Sequence, residues 1–201
     1  KEGIKLRSNG IKKPILILQG IHEITDYHEI KNSDLDFVIH SDWQLENIPN
    51  INFPNNRAWL KINTGMNRLG FNPEEFLEKY QKLTDKKFKD LVIMSHLASS
   101  SEKSDPKNKE QIELFTNLTK DISNKKSLAN SGAIFNFIES HFDIVRPGIA
   151  IYGGKYLEYG IKPVTCLRSK ITMLKNIKAG DSVGYDGSWV ADSDCIIAGR
   201  P

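Results

Sequence analysis

Short apolar runs recur along the first half of the chain, each followed by a loop and then an amphipathic polar stretch. Pro14–Ile15–Leu16–Ile17–Leu18, Asp36–Phe37–Val38–Ile39–His40, Ala58–Trp59–Leu60–Lys61–Ile62 and Leu91–Val92–Ile93–Met94–Ser95 read as strands. Runs this uniformly aliphatic suit a sheet covered on both faces, where both side-chain directions are dry. Between them lie helical patterns. Phe76, Leu77, Tyr80 and Leu83 fall at helical spacing behind Asn72-Pro73, a cap and first position. Ile112, Phe115, Leu118 and Ile122 repeat the pattern in a segment rich in lysine and glutamate. Strand alternating with helix predicts parallel β/α units, with chemistry in the loops at the C-terminal ends of the strands. The pattern changes after about Tyr159. Val164–Leu167, Ile171–Leu174, Val183–Tyr185 and Cys195–Ala198 are short apolar runs separated by glycines, with no long amphipathic helix among them. They predict the opening of a separate β-rich domain, so the chain divides into residues 1–158 and 159–201.

Composition narrows the classes of partner. The formal net charge is +3 over 201 residues, from lysines scattered along the whole chain. Without a dense basic run this is a solvated surface, and nucleic acid is not an expected partner. No apolar run approaches the roughly 18–20 residues of a membrane span, and the charged, glycine-broken start is no secretory leader. Cys166 and Cys195 form neither a C-x-x-C pair nor a disulfide framework, which points to reduced thiols and a cytoplasmic location. The chain does not begin with Met and reads as an internal piece of a longer protein.

Four loops carry the candidate chemistry. The first, Lys61–Ile62–Asn63–Thr64–Gly65–Met66–Asn67–Arg68–Leu69–Gly70–Phe71, sets an arginine between two glycines at a strand end. Its guanidinium fork suits a carboxylate, a phosphate or an aromatic oxygen. The others are Met94–Ser95–His96–Leu97–Ala98, Ala129–Asn130–Ser131–Gly132 and Val145–Arg146–Pro147–Gly148–Ile149. Each alone is weak: an Asn-Ser-Gly triplet is commonly a turn, and a lone histidine is commonly structural.

In this order and at these separations, the four loops resemble the middle of a bacterial alanine racemase. The first loop is similar to that family's K-x-D-T-G-M-x-R-L-G signature. Arg146–Pro147–Gly148–Ile149–Ala150–Ile151–Tyr152–Gly153 and Ala179–Gly180–Asp181–Ser182–Val183–Gly184–Tyr185 extend the likeness over nearly the whole chain. The resemblance implies an α/β fold: part of a pyridoxal-phosphate-binding (β/α)8 TIM barrel, followed by the start of a mostly-β C-terminal domain. It implies an isomerase that interconverts L- and D-alanine by two-base proton transfer on a pyridoxal phosphate aldimine, supplying D-alanine for peptidoglycan. It also implies a homodimer in the intact protein. Another pyridoxal-phosphate barrel protein is the alternative: a broad-specificity racemase, a decarboxylase or a non-enzymatic cofactor carrier.

Roles follow from the same resemblance. Arg146 would hydrogen-bond the cofactor's pyridine nitrogen, and His96 would buttress it. Asn130, Ser131, Gly148 and Ile149 would belong to the cofactor and phosphate cradle. Arg68 would face the cofactor's phenolic oxygen and the substrate carboxylate, and Lys61 would be the lysine carbamylated in many members. Asn63 departs from the family's aspartate. The family's cofactor-linking lysine would precede this chain. Its tyrosine base would follow Cys195–Ala198, and Tyr185 belongs to a different Gly-Tyr motif. No catalytic base is therefore expected among these residues, and this piece by itself is expected to be inactive.

Overall fold

The computed structural model describes residues 1–199. Arg200 and Pro201, in the stretch after Cys195–Ala198 where the resemblance puts the tyrosine base, lie outside the described residues. The backbone packs as two compact units, Lys1–Lys162 and a second from Pro163 onward.

The first unit opens with α1 (Glu2–Ser8), β1 (Leu16–Ile17) and α2 (Asp26–Asn32). There follow β2 (Asp36–Ile39), α3 (Asp42–Glu46), β3 (Phe53–Lys61), α4 (Phe76–Thr84), β4 (Phe88–Met94), α5 (Lys107–Thr119), β5 (Lys125–Ser127) and α6 (Ser131–Asn136). The five strands form one all-parallel sheet in chain order. Sequential parallel order with intervening helices is the arrangement of a β/α barrel. The segment Asp143–Arg146 continues it beyond β5. The Asp143 and Ile144 amides donate to Lys126 O (3.1 and 3.2 Å), and the Arg146 amide donates to Ala129 O (2.9 Å).

The two faces of the sheet bury different residues. Phe37, Ile39, Ala58, Leu60, Leu91 and Ile93 pack toward the helices with Tyr27, Phe53, Phe76, Leu83 and Phe115. Each fully buried Leu, Ile or Phe among them contributes about 1.5–3 kcal/mol. The alternate residues Val38, Trp59, Val92 and Met94, joined by Leu16 and Ile144, form a second cluster on the opposite, barrel-interior face. Lys61 shares that face with Trp59 because side chains alternate along a strand. Asp36 and Arg57 meet at its N-terminal end, with Arg57 Nε and Nη2 2.8 and 2.7 Å from Asp36 Oδ2.

The helices follow their sequence signals with two differences. The Asn72 amide donates to Glu75 Oε2 (3.1 Å), and a 3₁₀ turn over Pro73–Glu75 leads into α4. Phe76 and Leu83 of α4 are buried, but Leu77 is 65% exposed and lies off the packed stripe. Ile122 is buried just beyond α5, whose last residue is Thr119.

In the second unit β6 (Met173–Ile177) pairs antiparallel with β9 (Cys195–Gly199), and β7 (Ser182–Val183) with β8 (Trp189–Val190). The expected strand over Val164–Leu167 is absent. Those residues join no strand ladder among the described residues, and Leu167 is 98% exposed, so the apolar run has no sheet to pack into. Among the described residues, no helix is long and apolar enough to cross a membrane.

Candidate functional site

Three of the loops follow the C-terminal ends of β3, β4 and β5, the fourth lies on the Asp143–Arg146 segment beside β5, and Lys61, His96 and Arg146 come together there. Arg146 is the centre. Its Nη1 donates to Ser127 Oγ. Its Nη2 faces Ser95 O (2.5 Å), Leu128 O (3.3 Å) and His96 Nδ1 (3.2 Å). These partners are neutral acceptors, and burial pulls the guanidinium down to about 10. It therefore remains a cation at neutral pH. No bond to its Nε–H is formed among the described residues, so a guanidinium pinned at one edge still has a donor to offer.

His96 is set by this cation. Its Nδ1 faces Arg146 Nη2 and its Nε2 faces Asn130 Nδ2 at 3.3 Å, and a neutral ring accepts from one of the two. Burial first, then the charges of Arg146, Lys61 and Arg68, hold the imidazole down to about 4. It is neutral throughout the physiological range. Asn130 is anchored through both atoms of its amide. Nδ2 donates to Leu97 O (3.0 Å), while Oδ1 accepts from the Ala133 amide (3.2 Å) and from Ser100 Oγ. Asn130 thus caps α6 and braces the His96 loop.

Gly132 allows this close fit, since a Cβ there would lie 2.6 Å from the Ser100 carbonyl carbon. Beside it, Ser131 Oγ accepts from the Gly148 amide (2.7 Å) and the Ala150 amide (3.3 Å). A small hydroxyl with converging N–H groups, and glycine at the approach, is a surface that fits a phosphate.

Lys61 is 6% exposed and carries the third charge. Burial, with Arg68 and Arg146 adding repulsion, lowers its ammonium to about 8. Arg68 stands exposed at the rim, at the end of a tightly made loop. Asn63 Oδ1 accepts from the Gly65 and Asn67 amides (3.2 and 2.9 Å). Its Nδ2 reaches Asn67 Oδ1 at 2.9 Å, a bond that the family's aspartate could not donate. Gly70 closes the loop at φ +121°, where a Cβ would sit 2.7 Å from the Asn63 nitrogen.

Two residues that sequence patterns did not single out organise these loops. Ser127 holds Arg146. Gln111 of α5, 2% exposed, accepts from the Ala98 amide (2.9 Å) and donates to His96 O (3.1 Å) and Thr64 Oγ1 (3.3 Å). Thr64 Oγ1 in turn lies 2.8 Å from Ser95 Oγ, which donates to Ile62 O (2.7 Å). The Arg68 loop and the His96 loop are therefore stitched through one helix. Tyr185, by contrast, is 97% exposed. Among the described residues no group of three or more His, Cys, Asp or Glu could hold a metal ion.

A family model described as the N-terminal domain of alanine racemase matches residues 1–156. The chain belongs to the alanine racemase family. It is 39% identical over 205 residues to the alanine racemase of Pasteurella multocida, covering 98% of this chain and 57% of that protein. The biosynthetic alanine racemase of Pseudomonas aeruginosa superposes with a TM-score of 0.87 at 31% identity, over 98% of this chain and 57% of that one. The alanine racemase of Bartonella henselae, solved with covalently bound pyridoxal phosphate, does so at 0.73 and 25% identity, with the same coverage. The parallel sheet is thus part of that family's (β/α)8 barrel. The chain spans little more than half the length of these relatives.

Proposed function

We propose that this chain supplies the ring-nitrogen partner, the phosphate cradle and the carboxylate-facing arginine of a pyridoxal-phosphate alanine racemase. The observation that carries the reading is Arg146. It is a half-buried guanidinium without a carboxylate partner among the described residues, fixed by neutral acceptors beside Ser131 and the Gly148 and Ala150 amides.

When bound, pyridoxal phosphate supplies an electron-withdrawing ring that makes the α-proton of an amino acid removable. This chain's residues determine how far that withdrawal goes. Arg146 holds its own protons tightly, so a ring nitrogen facing it accepts a hydrogen bond and stays unprotonated. The weaker sink favours return of the proton to the α-carbon over side reactions. Ser131, with Asn130 shaping its turn and Gly148 and Ile149 opposite, holds the phosphate. Arg68 at the rim meets the substrate carboxylate. His96, neutral, stands against Arg146 Nη2 and adds no charge to the site.

Lys61 completes the electrostatics. A fraction of its amine is neutral near pH 7, and a neutral amine adds to carbon dioxide to give a carbamate. The new anion would sit against Arg68 and Arg146 instead of repelling them. The two proton-transferring bases are not assigned to residues of this chain.

The finer assignments belong to the same proposal. Residues 1–158 form part of the cofactor-binding barrel, and 159–201 begin the C-terminal β-domain. The intact protein works as a cytoplasmic homodimer on alanine, for peptidoglycan supply. The relatives' name supports alanine as substrate and the two free cysteines Cys166 and Cys195 suit a reducing compartment, while the homodimer and the peptidoglycan role rest on the sequence resemblance.

The test is racemisation of L-alanine by the complete protein that carries this chain, followed by chiral chromatography. Arg146→Glu should depress D-alanine formation and raise pyridoxamine phosphate formation. An Arg146→Glu protein that racemises alanine normally would refute the assignment.

A further inference from the structure

We propose that Ser127 is the positioning residue that fixes the plane of the Arg146 guanidinium, and through it the protonation state of the cofactor's ring nitrogen. The inference rests on the function proposed above. Ser127 ends β5 and is fully buried. Its hydroxyl has a single proton, which it donates to Ile144 O at 2.7 Å. With that proton committed, the oxygen presents only lone pairs to Arg146 Nη1, so Ser127 can accept from the guanidinium but cannot donate to it.

Ile144 lies two residues before Arg146 on the segment that runs beside β5. The hydroxyl therefore ties the arginine's own backbone and the tip of its side chain to one point. The other acceptors, Ser95 O, Leu128 O and His96 Nδ1, all gather on Nη2. A planar group held at Nη2 alone can pivot about that end. Held at Nη1 as well, it has one orientation. Ser127 is the sole side-chain oxygen holding Nη1 among the described residues, and its burial leaves no bulk solvent to replace it. Loss of the hydroxyl would let the free edge of Arg146 swing, lengthen its bond to a ring nitrogen and make that nitrogen easier to protonate.

The experiment uses the complete protein loaded with pyridoxal phosphate labelled with ¹⁵N in the ring, as Ser127→Ala, Ser127→Thr and Arg146→Lys. A hydrogen bond to a charged group is worth about one to two decades. Ser127→Ala should therefore lower kcat about tenfold while KM for alanine changes less than about twofold. Pyridoxamine phosphate formed per racemisation should rise, and the ring ¹⁵N shift should move toward the protonated value. Ser127→Thr, which keeps the hydroxyl, should recover most of all three.

A Ser127→Ala protein with wild-type ¹⁵N shift and partition overturns the inference, whatever its melting temperature. So does a kcat loss in which the ¹⁵N shift stays put, since that marks a packing effect. If Ser127→Ala does not fold, Ser127→Cys, of similar size but a poor acceptor, is judged by the same readings. Arg146→Lys separates the two layers. If it leaves racemisation and the ring nitrogen unchanged, the assignment of Arg146 as the ring-nitrogen partner is wrong, and the role of Ser127 falls with it. If it alters both while the Ser127 variants do not, only the role of Ser127 falls.

Discussion

Replacing Lys61 by methionine should make the cofactor-free protein more stable at neutral pH, and less so as the pH rises. Lys61 is a buried ammonium beside two guanidiniums, and its folded value of about 8 lies below the ordinary 10.5. Between those values the unfolded chain holds more protons than the folded one, so stability climbs with pH across that window. Below it the penalty is constant. A gap of this size corresponds to about 3 kcal/mol at pH 7, about half of that at pH 9.5 and almost nothing at pH 11. Methionine keeps most of the stem and removes the charge, so Lys61→Met should recover roughly those amounts. The assay is urea denaturation of both proteins at fixed concentration, in buffer freed of carbon dioxide, at pH 7 and 9.5. A gain that is absent at pH 7, or equal at both pH values, would refute the electrostatic account. Adding bicarbonate to wild type at pH 8 should narrow its gap to Lys61→Met, because a carbamate replaces the unfavourable cation.

Three further outcomes follow from the same geometry. The His96 imidazole, held down to about 4 against an ordinary 6.5, resists protonation in the fold, so stability should fall as pH drops from 6.5 toward 4. His96→Gln should flatten that acid limb in a melting-temperature series, and an unchanged limb would show that other groups cause it. Gly70→Ala should cost about 3 kcal/mol or more, from the positive φ and from a Cβ pressed on the Asn63 nitrogen, with weakened alanine binding as Arg68 shifts. Urea melts and KM check it, and a neutral substitution would show that the loop yields. Asn63→Asp loses the donor to Asn67 and sets two oxygens together, which should cost about 1 kcal/mol in the cofactor-free protein. Asn63→Asp/Asn67→Ser, with the clash removed, should recover most of it in the same melts.

How much of this was legible depended on whether burial left a period in the sequence. The segments of β2, β3 and β4 could be read directly, because both faces of the sheet are dry there and Phe37–Ile39, Ala58–Leu60 and Leu91–Met94 leave no polar gap. Strand β5 could not. Its residues are Lys125–Lys126–Ser127, polar because the first lies exposed at the strand's start and the last serves Arg146. Val164–Leu167 misled in the opposite way: apolar residues without a pairing partner carry the same letters as a strand. Leu77 fitted the helical spacing yet faces outward, since four apolar residues in eight overfill one stripe.

The site showed the same division. Arg68, His96, Ser131 and Arg146 stand in worded motifs at strand ends, so the sequence exposed them. Ser127 is the last of three polar residues in β5 and Gln111 one of many polar residues in α5, and nothing in their spacing marks them. The one available clue is positional. Gln111 lies one residue before Ile112 and four before Phe115, on the stripe that should be apolar, and a polar residue there must be bonded to something.

The most direct measurement is a crystal structure of the complete protein soaked with pyridoxal phosphate. The account predicts the phosphate on Ser131 Oγ and the amides about Gly148, with the pyridine nitrogen within hydrogen-bond distance of Arg146. A ring nitrogen facing a carboxylate, or a phosphate bound away from Ser131, would contradict it.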